Sequence, residues 1–319
     1  MKLVTRIAMA LVALAPWLAG AQGPYPNKPV KVVVSTVPGP LDAFARIICE
    51  KLATSLKQPF VVENKAGAGG NIAAEYVKGQ PADGYTLLFS IDTTFTVNPG
   101  LYKSLPFDPV KDFAVISVPV TYGQMLTVNP TVPARNVKEL VTLARQKPLT
   151  YASGGNGSPS HLVAAYFLST AGVEMTHIPY KGTGQSVIDV LGGRVDTLFA
   201  VTNGVLPYVK DARLRALAVS SAKRSALAPD VPTIAELGYP GFDVSFAYAF
   251  MAPAGTPDEI VQLLSREVLK AMAQADVQEK NRFADYTATG LDPKQSAAWL
   301  KENRDRWTKV IQQAAISAE

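Results

Sequence analysis

Between Gly154 and His161 the chain reads GGNGSPSH, and few backbone arrangements accommodate such a stretch. A short β-prone run, Leu149 to Ala152, precedes it. Apolar residues at helical spacing, Leu162, Ala165, Tyr166 and Leu168, follow it. Ser158 suits an N-cap and Pro159 the first helical position. The segment predicts a strand, a glycine-rich turn and a capped helix start. Such a turn leaves several backbone N–H groups free, and the helix dipole adds partial positive charge, so together they favour an anion. Nothing acidic lies between Ser153 and His161 to repel a carboxylate. An ordinary capped helix after a tight turn would read the same way, so this stretch alone leaves both readings open.

The same alternation of strand and helix runs along most of the chain and predicts an α/β fold with largely parallel sheets. A first set starts with the Val-rich run Val30 to Val34. It continues through a helix from about Asp42 to Leu56, a strand at Phe60 to Val62, a glycine turn at Gly67 to Gly70, a helix over Ile72 to Val77 and a strand at Thr86 to Phe89. A second set takes in a strand at Gln124 to Val128 and a helix from Asn136 to Ala144 opened by an Asn136/Glu139 capping box. It then includes the strand and helix around GGNGSPSH, a strand at Met175 to Ile178, a helix at Gln185 to Leu191 and strands at Val195 to Phe199 and Leu214 to Val219. Asp230 to Gly241 reads as a crossing segment, and Ser245 to Met251 as a strand. Thr256 to Glu259 reads as a second capping box, opening a helix towards Ala273, and a last helix spans Pro293 to Ile316. Two such sets predict two lobes with a cleft between them. Ligands in open α/β folds sit at the carboxyl ends of the strands. The loops Ser35–Asp42, Ser90–Thr94, Ser153–Ser160, Pro179–Gly182 and Thr202–Asn203 are the expected cleft walls.

The first twenty-one residues carry Lys2 and Arg6, an apolar run from Ile7 to Leu18, and the small residues Ala19, Gly20 and Ala21. They read as a secretory leader cleaved near Ala21, which predicts a periplasmic or secreted protein. The chain holds 31 basic and 26 acidic residues, a formal charge of +5; setting aside Lys2 and Arg6 leaves +3. So mild an excess, with no basic block, argues against nucleic acid. The single cysteine, Cys49, sits among apolar residues and reads as a buried structural thiol.

Catalytic chemistry has little to draw on. The only two histidines, His161 and His177, and one cysteine nearly exclude a zinc site. There is no G-x-S-x-G elbow and no Walker A loop. No cofactor and no metal are expected.

At the level of whole segments, YPNKPVKVVV, VVENKAGAGGNIAAE, ADGYTLLFS, NPGLYKSLPFDPVKDFAVIS, YASGGNGSPSHL, HIPYKGTGQSVIDVLGGRVD and MAPAGTP occur in order. This set resembles the substrate-binding proteins of tripartite tricarboxylate transporters, the Bordetella uptake gene (Bug) family, over nearly the whole chain. The resemblance implies a two-lobe periplasmic binding protein fold, with residues 22–122 plus 247–319 in lobe I and 123–246 in lobe II. It implies a monomer, without enzymatic activity, that closes on a small carboxylate and delivers it to the membrane permease subunits of the transporter. A receptor reporting the ligand to a signalling partner would carry the same site. The expected ligand-binding residues are Pro38, Gly39, Leu41 and Asp42 of the first loop, with Ser90 and Thr94. From the second lobe come Ser153, Gly154, Asn156, Gly157, Ser158, Ser160 and His161, then Tyr180, Thr202, Asn203 and Phe246.

Three positions, in two segments, depart from the family pattern. Pro38 and Leu41 replace a glycine and a threonine in the first loop, and Ala247 stands where a large aromatic is common. An apolar Leu41 and a roomier cleft at Ala247, beside Phe95, Phe246 and Tyr248, predict a ligand with a sizeable apolar body, an aromatic or longer-chain carboxylate. If those side chains point into the cores instead, an ordinary small dicarboxylate is expected.

Overall fold

A computed structural model describes residues 24–314 and 316, so the expected leader and its cleavage site lie outside the described residues. The first half contains β1 (Val30–Val34), α1 (Pro40–Leu56), β2 (Phe60–Asn64), α2 (Asn71–Lys78), β3 (Thr86–Ile91), the short helices α3 (Thr93–Thr96) and α4 (Asn98–Leu101), β4 (Phe113–Ser117), β5 (Val120–Tyr122) and β6 (Met125–Val128). There follow α5 (Val137–Gln146), β7 (Thr150–Ser153), α6 (Pro159–Ala171), β8 (Thr176–Pro179), α7 (Thr183–Leu191), β9 (Thr197–Ala200), α8 (Thr202–Lys210) and β10 (Arg215–Val219). The chain ends with β11 (Phe246–Pro253), α9 (Asp258–Met272), α10 (Ala275–Ala284), β12 (Thr287–Ala288) and α11 (Pro293–Ala314).

These strands build two sheets. One runs β12-β5-β11-β3-β1-β2, with β4 also on β11; the other runs β10-β6-β9-β7-β8. The valines of β1 are buried because this strand is hydrogen-bonded on both sides, parallel to β2 and to β3. The sheets are mixed rather than largely parallel. Strand β11 lies antiparallel to β3, β4 and β5, and β6 lies antiparallel to β9 and β10. The short β12 also pairs antiparallel, with β5; β6 and β11 lie where the chain passes between the sheets, so those two strands are not fed by the helical crossovers that impose parallel order.

Asn136 caps α5 as expected: its side chain accepts from the Glu139 amide at 2.9 Å, and Glu139 accepts the Arg135 amide at 2.7 Å. The box at Thr256 does not form. The Thr256 hydroxyl instead donates to the Pro253 carbonyl at 2.8 Å, and α9 starts without a side-chain cap. Thr202 and Asn203 are not a loop but the opening of α8.

The chain leaves the first sheet after Tyr122 and returns at Phe246, two residues that pair with each other. Ser220 ties both crossings together. Its hydroxyl accepts the Gln124 amide at 2.9 Å and donates to the Val244 carbonyl at 2.7 Å. Its own amide donates to Gln124 and its carbonyl accepts from Val244, each at 2.8 Å. Beside them, the buried Asp92 carboxylate accepts the Ala247 amide at 2.8 Å. Desolvation there raises its pKa to about 7.

Candidate functional site

The carboxyl ends of β1 and β3 in one sheet, and of β7 and β8 in the other, open into one cleft of about 670 Å³. That is the size range of small-molecule sites. Gly154, Asn156, Gly157 and Ser158 form part of one wall; Ser35, Thr36, Val37 and the Gly67–Gly70 turn form part of the other. Among the described residues, no aspartate or glutamate lines the cleft.

The second-lobe turn is braced from behind. The Ser160 hydroxyl accepts the Gly154 amide at 2.9 Å, Ser153 accepts the Gly155 amide at 3.1 Å, and His161 Nδ1 accepts the Gly157 amide at 3.0 Å. Ser158 caps α6, its hydroxyl accepting the His161 amide at 3.4 Å. The turn is therefore less open to an anion than its composition predicts. Among the described residues, only the Asn156 and Ser160 amides of this stretch find no protein acceptor, with the Ser158 hydroxyl beside them. Gly155 and Gly157, at φ 121° and 71°, supply the left-handed turns that fold the loop back on itself.

His161 acts through this loop. Its ring stacks on His177 with centroids 4.1 Å apart, and His177 in turn stacks on Tyr151 at 4.7 Å and meets the Ser153 hydroxyl at 2.6 Å. Burial first, and the neighbouring His177 second, pull the His161 pKa down to about 4; burial also lowers that of His177. His161 is thus neutral at pH 7, and because Nδ1 accepts from Gly157 its proton sits on Nε2.

The first-lobe wall rests on a buried hydroxyl relay. Ser90 Oγ lies 2.8 Å from both Ser35 Oγ and Thr94 Oγ1, and Thr94 donates to the Gly69 carbonyl at 3.0 Å. Gly70 sits against this relay at φ 93°, where a Cβ would fall 2.3 Å from Thr94 Oγ1. Across the cleft, a Cβ on Gly157 would fall 2.8 Å from Leu101 Cδ1, so glycine lets the two walls approach.

Of the residues singled out in the sequence, the cleft brings together Thr94, Gly154, Asn156, Gly157 and Ser158. Ser90, Ser153, Ser160 and His161 are buried behind them as braces. The remaining ones do not line the cleft. Pro38 and Gly39 lead into α1, Gly39 through its carbonyl, which accepts the Ala43 amide at 2.8 Å. Asp42 is held by Arg46 at 2.9 and 3.0 Å and by the Asn64 amide at 3.0 Å, which makes it an anchor of the helix start. The Tyr180 hydroxyl is engaged by Asp189 at 2.6 Å. Thr202 is buried at the start of α8, next to Asn203.

Leu41, only 2% exposed, packs in the core with Phe44 and Ile48 rather than facing the cleft. Phe246 stacks on Trp307 at 5.8 Å, Tyr248 pairs its hydroxyl with that of Tyr286 at 2.7 Å, and Ala247 and Phe95 belong to a second core cluster. Neither face of β11 is open: all eight of its residues are buried. The expectation of a bulky apolar ligand therefore loses its premise. The wall residues missed in the sequence are Ala66, the Gly67–Gly70 turn, Asn98, Leu101 and Tyr102, whereas Lys181 lies in the expected wall Pro179–Gly182. The turn had a signal, a glycine run between strand and helix, but read as a plain connection. Leu101 and Tyr102 carry no local mark.

The model of the tripartite tricarboxylate transporter family receptor matches residues 44–316. The chain belongs to this family. Among relatives of the receptor, BugT of Bordetella pertussis is 34% identical, over 97% of this chain and 98% of its own length. Among solved structures, R. palustris Rpa4515 with adipate superposes with a TM-score of 0.83 at 33% identity, covering 92% of this chain and 99% of that one. MatC of Rhodopseudomonas palustris with bound malate gives 0.79 at 29% identity, covering 90% and 100%. The two-lobe α/β architecture and the Bug-type family resemblance are both borne out.

Proposed function

We propose that this receptor captures a small carboxylate in the cleft between its sheets and hands it to the permease subunits of a tripartite transporter, working in the periplasm as a monomer without enzymatic activity. The observation that carries the reading is a cleft walled from both sheets by glycine turns and hydroxyls, with no acidic side chain lining it among the described residues. Fixed neutral donors suit capture and release, because an amide or hydroxyl binds a carboxylate without a charged side chain having to be desolvated. The adipate and malate bound by its structural relatives are ligands of that chemistry. In this reading the lobes are 22–122 plus 247–319 and 123–246, and the hinge is the pair of crossings clamped by Ser220.

The test is a thermal-shift panel of mono-, di- and tricarboxylates, aromatic acids and acidic amino acids on purified protein, unfolded and refolded first to strip any carried ligand. A ligand at 100 times its Kd stabilises by about 2.7 kcal/mol, a rise of about 5–10 °C for a domain of this scale. One carboxylate class is expected to give it, and loss of uptake of that acid on deletion of the gene would support transport. A flat response across the whole panel would refute the carboxylate reading.

A further inference from the structure

Among the described residues, only two ionisable side chains line the cleft, Tyr102 and Lys181. Burial raises the pKa of the Tyr102 phenol, so it stays neutral. The other is Lys181, an exposed residue on the loop between β8 and α7 whose side chain carries a positive charge to the cleft rim. That loop is fastened to the second-lobe turn: the Tyr180 amide donates to the Ser153 carbonyl at 3.1 Å and the Gly182 amide to the Gly154 carbonyl at 3.2 Å. None of the ion pairs among the described residues uses Lys181. The carboxylate on the neighbouring helix, Asp189, is already engaged by Arg194 at 2.5 Å and Tyr180 at 2.6 Å.

We infer that Lys181 makes the cleft select by ligand charge, favouring a dicarboxylate over the monocarboxylate of the same chain length. The inference rests on the carboxylate reading and adds the residue that sets its selectivity. Amides and hydroxyls hold one carboxylate group without distinguishing a monoanion from a dianion. A cation beside them does distinguish the two, because its Coulomb gain grows with total ligand charge and no lining carboxylate cancels it. For an exposed side chain in water-like surroundings, one added charge at about 4 Å changes affinity about fivefold.

The experiment is calorimetric titration of wild type, Lys181→Met and Lys181→Arg with butanoate against butanedioate and hexanoate against hexanedioate, at low and at high salt. Lys181→Met should cut the dicarboxylate-to-monocarboxylate affinity ratio about fivefold at low salt and less at high salt, where screening already weakens the effect. Lys181→Arg should keep the ratio. A ratio unchanged in Lys181→Met, or equal losses for both members of a pair, would overturn the assignment. If the wild type binds neither member of either pair while another carboxylate of the thermal-shift panel does bind, the charge-selectivity assignment fails and the carboxylate reading stands; if that whole panel is flat as well, both fail.

Discussion

Acid should loosen the second-lobe turn through one histidine. His161 Nδ1 accepts the Gly157 amide at 3.0 Å, so a proton on that nitrogen would set N–H against N–H at the cleft wall. Burial and His177 hold the folded-state pKa down to about 4 from an ordinary value of 6.5. A depressed histidine contributes stability that is fully present above pH 6.5 and is lost as pH falls through 4, because the unfolded chain takes up the proton first. The loss from this one group is about 2 kcal/mol by pH 5 and about 3 kcal/mol by pH 4. Asp92 acts in the opposite direction over the same range, since its folded pKa is raised from 3.8 to about 7 and protonation favours the folded state. The clean quantity is therefore the difference between wild type and His161→Asn, whose amide oxygen can take the place of Nδ1 without titrating. Urea unfolding from pH 7 to pH 4 should show wild type losing about 3 kcal/mol relative to the variant, whatever constant offset the lost ring stack adds. Parallel curves, or an NMR titration placing His161 near 6.5, would refute the reasoning.

Two further outcomes follow from backbone contacts. Gly157→Ala should weaken carboxylate binding by about tenfold or more, through left-handed strain and collision with Leu101. Combining it with Leu101→Ala should restore only the part lost to that collision, since the left-handed strain remains, and unchanged binding in the single variant would mean that the walls need not approach there. Ser220→Ala leaves the Gln124 amide and the Val244 carbonyl without their side-chain partner at the crossings, and should cost about 2–4 kcal/mol in urea denaturation. A loss under about 1 kcal/mol would show that Ser220 is no clamp.

The elements legible in the sequence are those decided within a few residues. The Val30–Val34 run becomes a central strand, the Asn136/Glu139 box caps its helix, and Ser158 and Pro159 open α6 as their chemistry requires. The order of these pieces also carried the family and the two-lobe architecture. Facing directions were not legible. Leu41 and Ala247 looked like cleft residues because they replace a threonine and a large aromatic of the family pattern, yet α1 turns Leu41 into the core and β11 is covered on both faces. The amides of GGNGSPSH looked free, yet Ser153, Ser160 and His161 claim those of three of its glycines, with side chains whose reach depends on the fold of the loop itself. Leu101, Tyr102 and the Gly67–Gly70 turn became a wall only because the second sheet stands opposite them. A cap or a buried run is set by neighbours along the chain. A cleft is set by two surfaces distant in sequence, and only their packing decides which side chains meet.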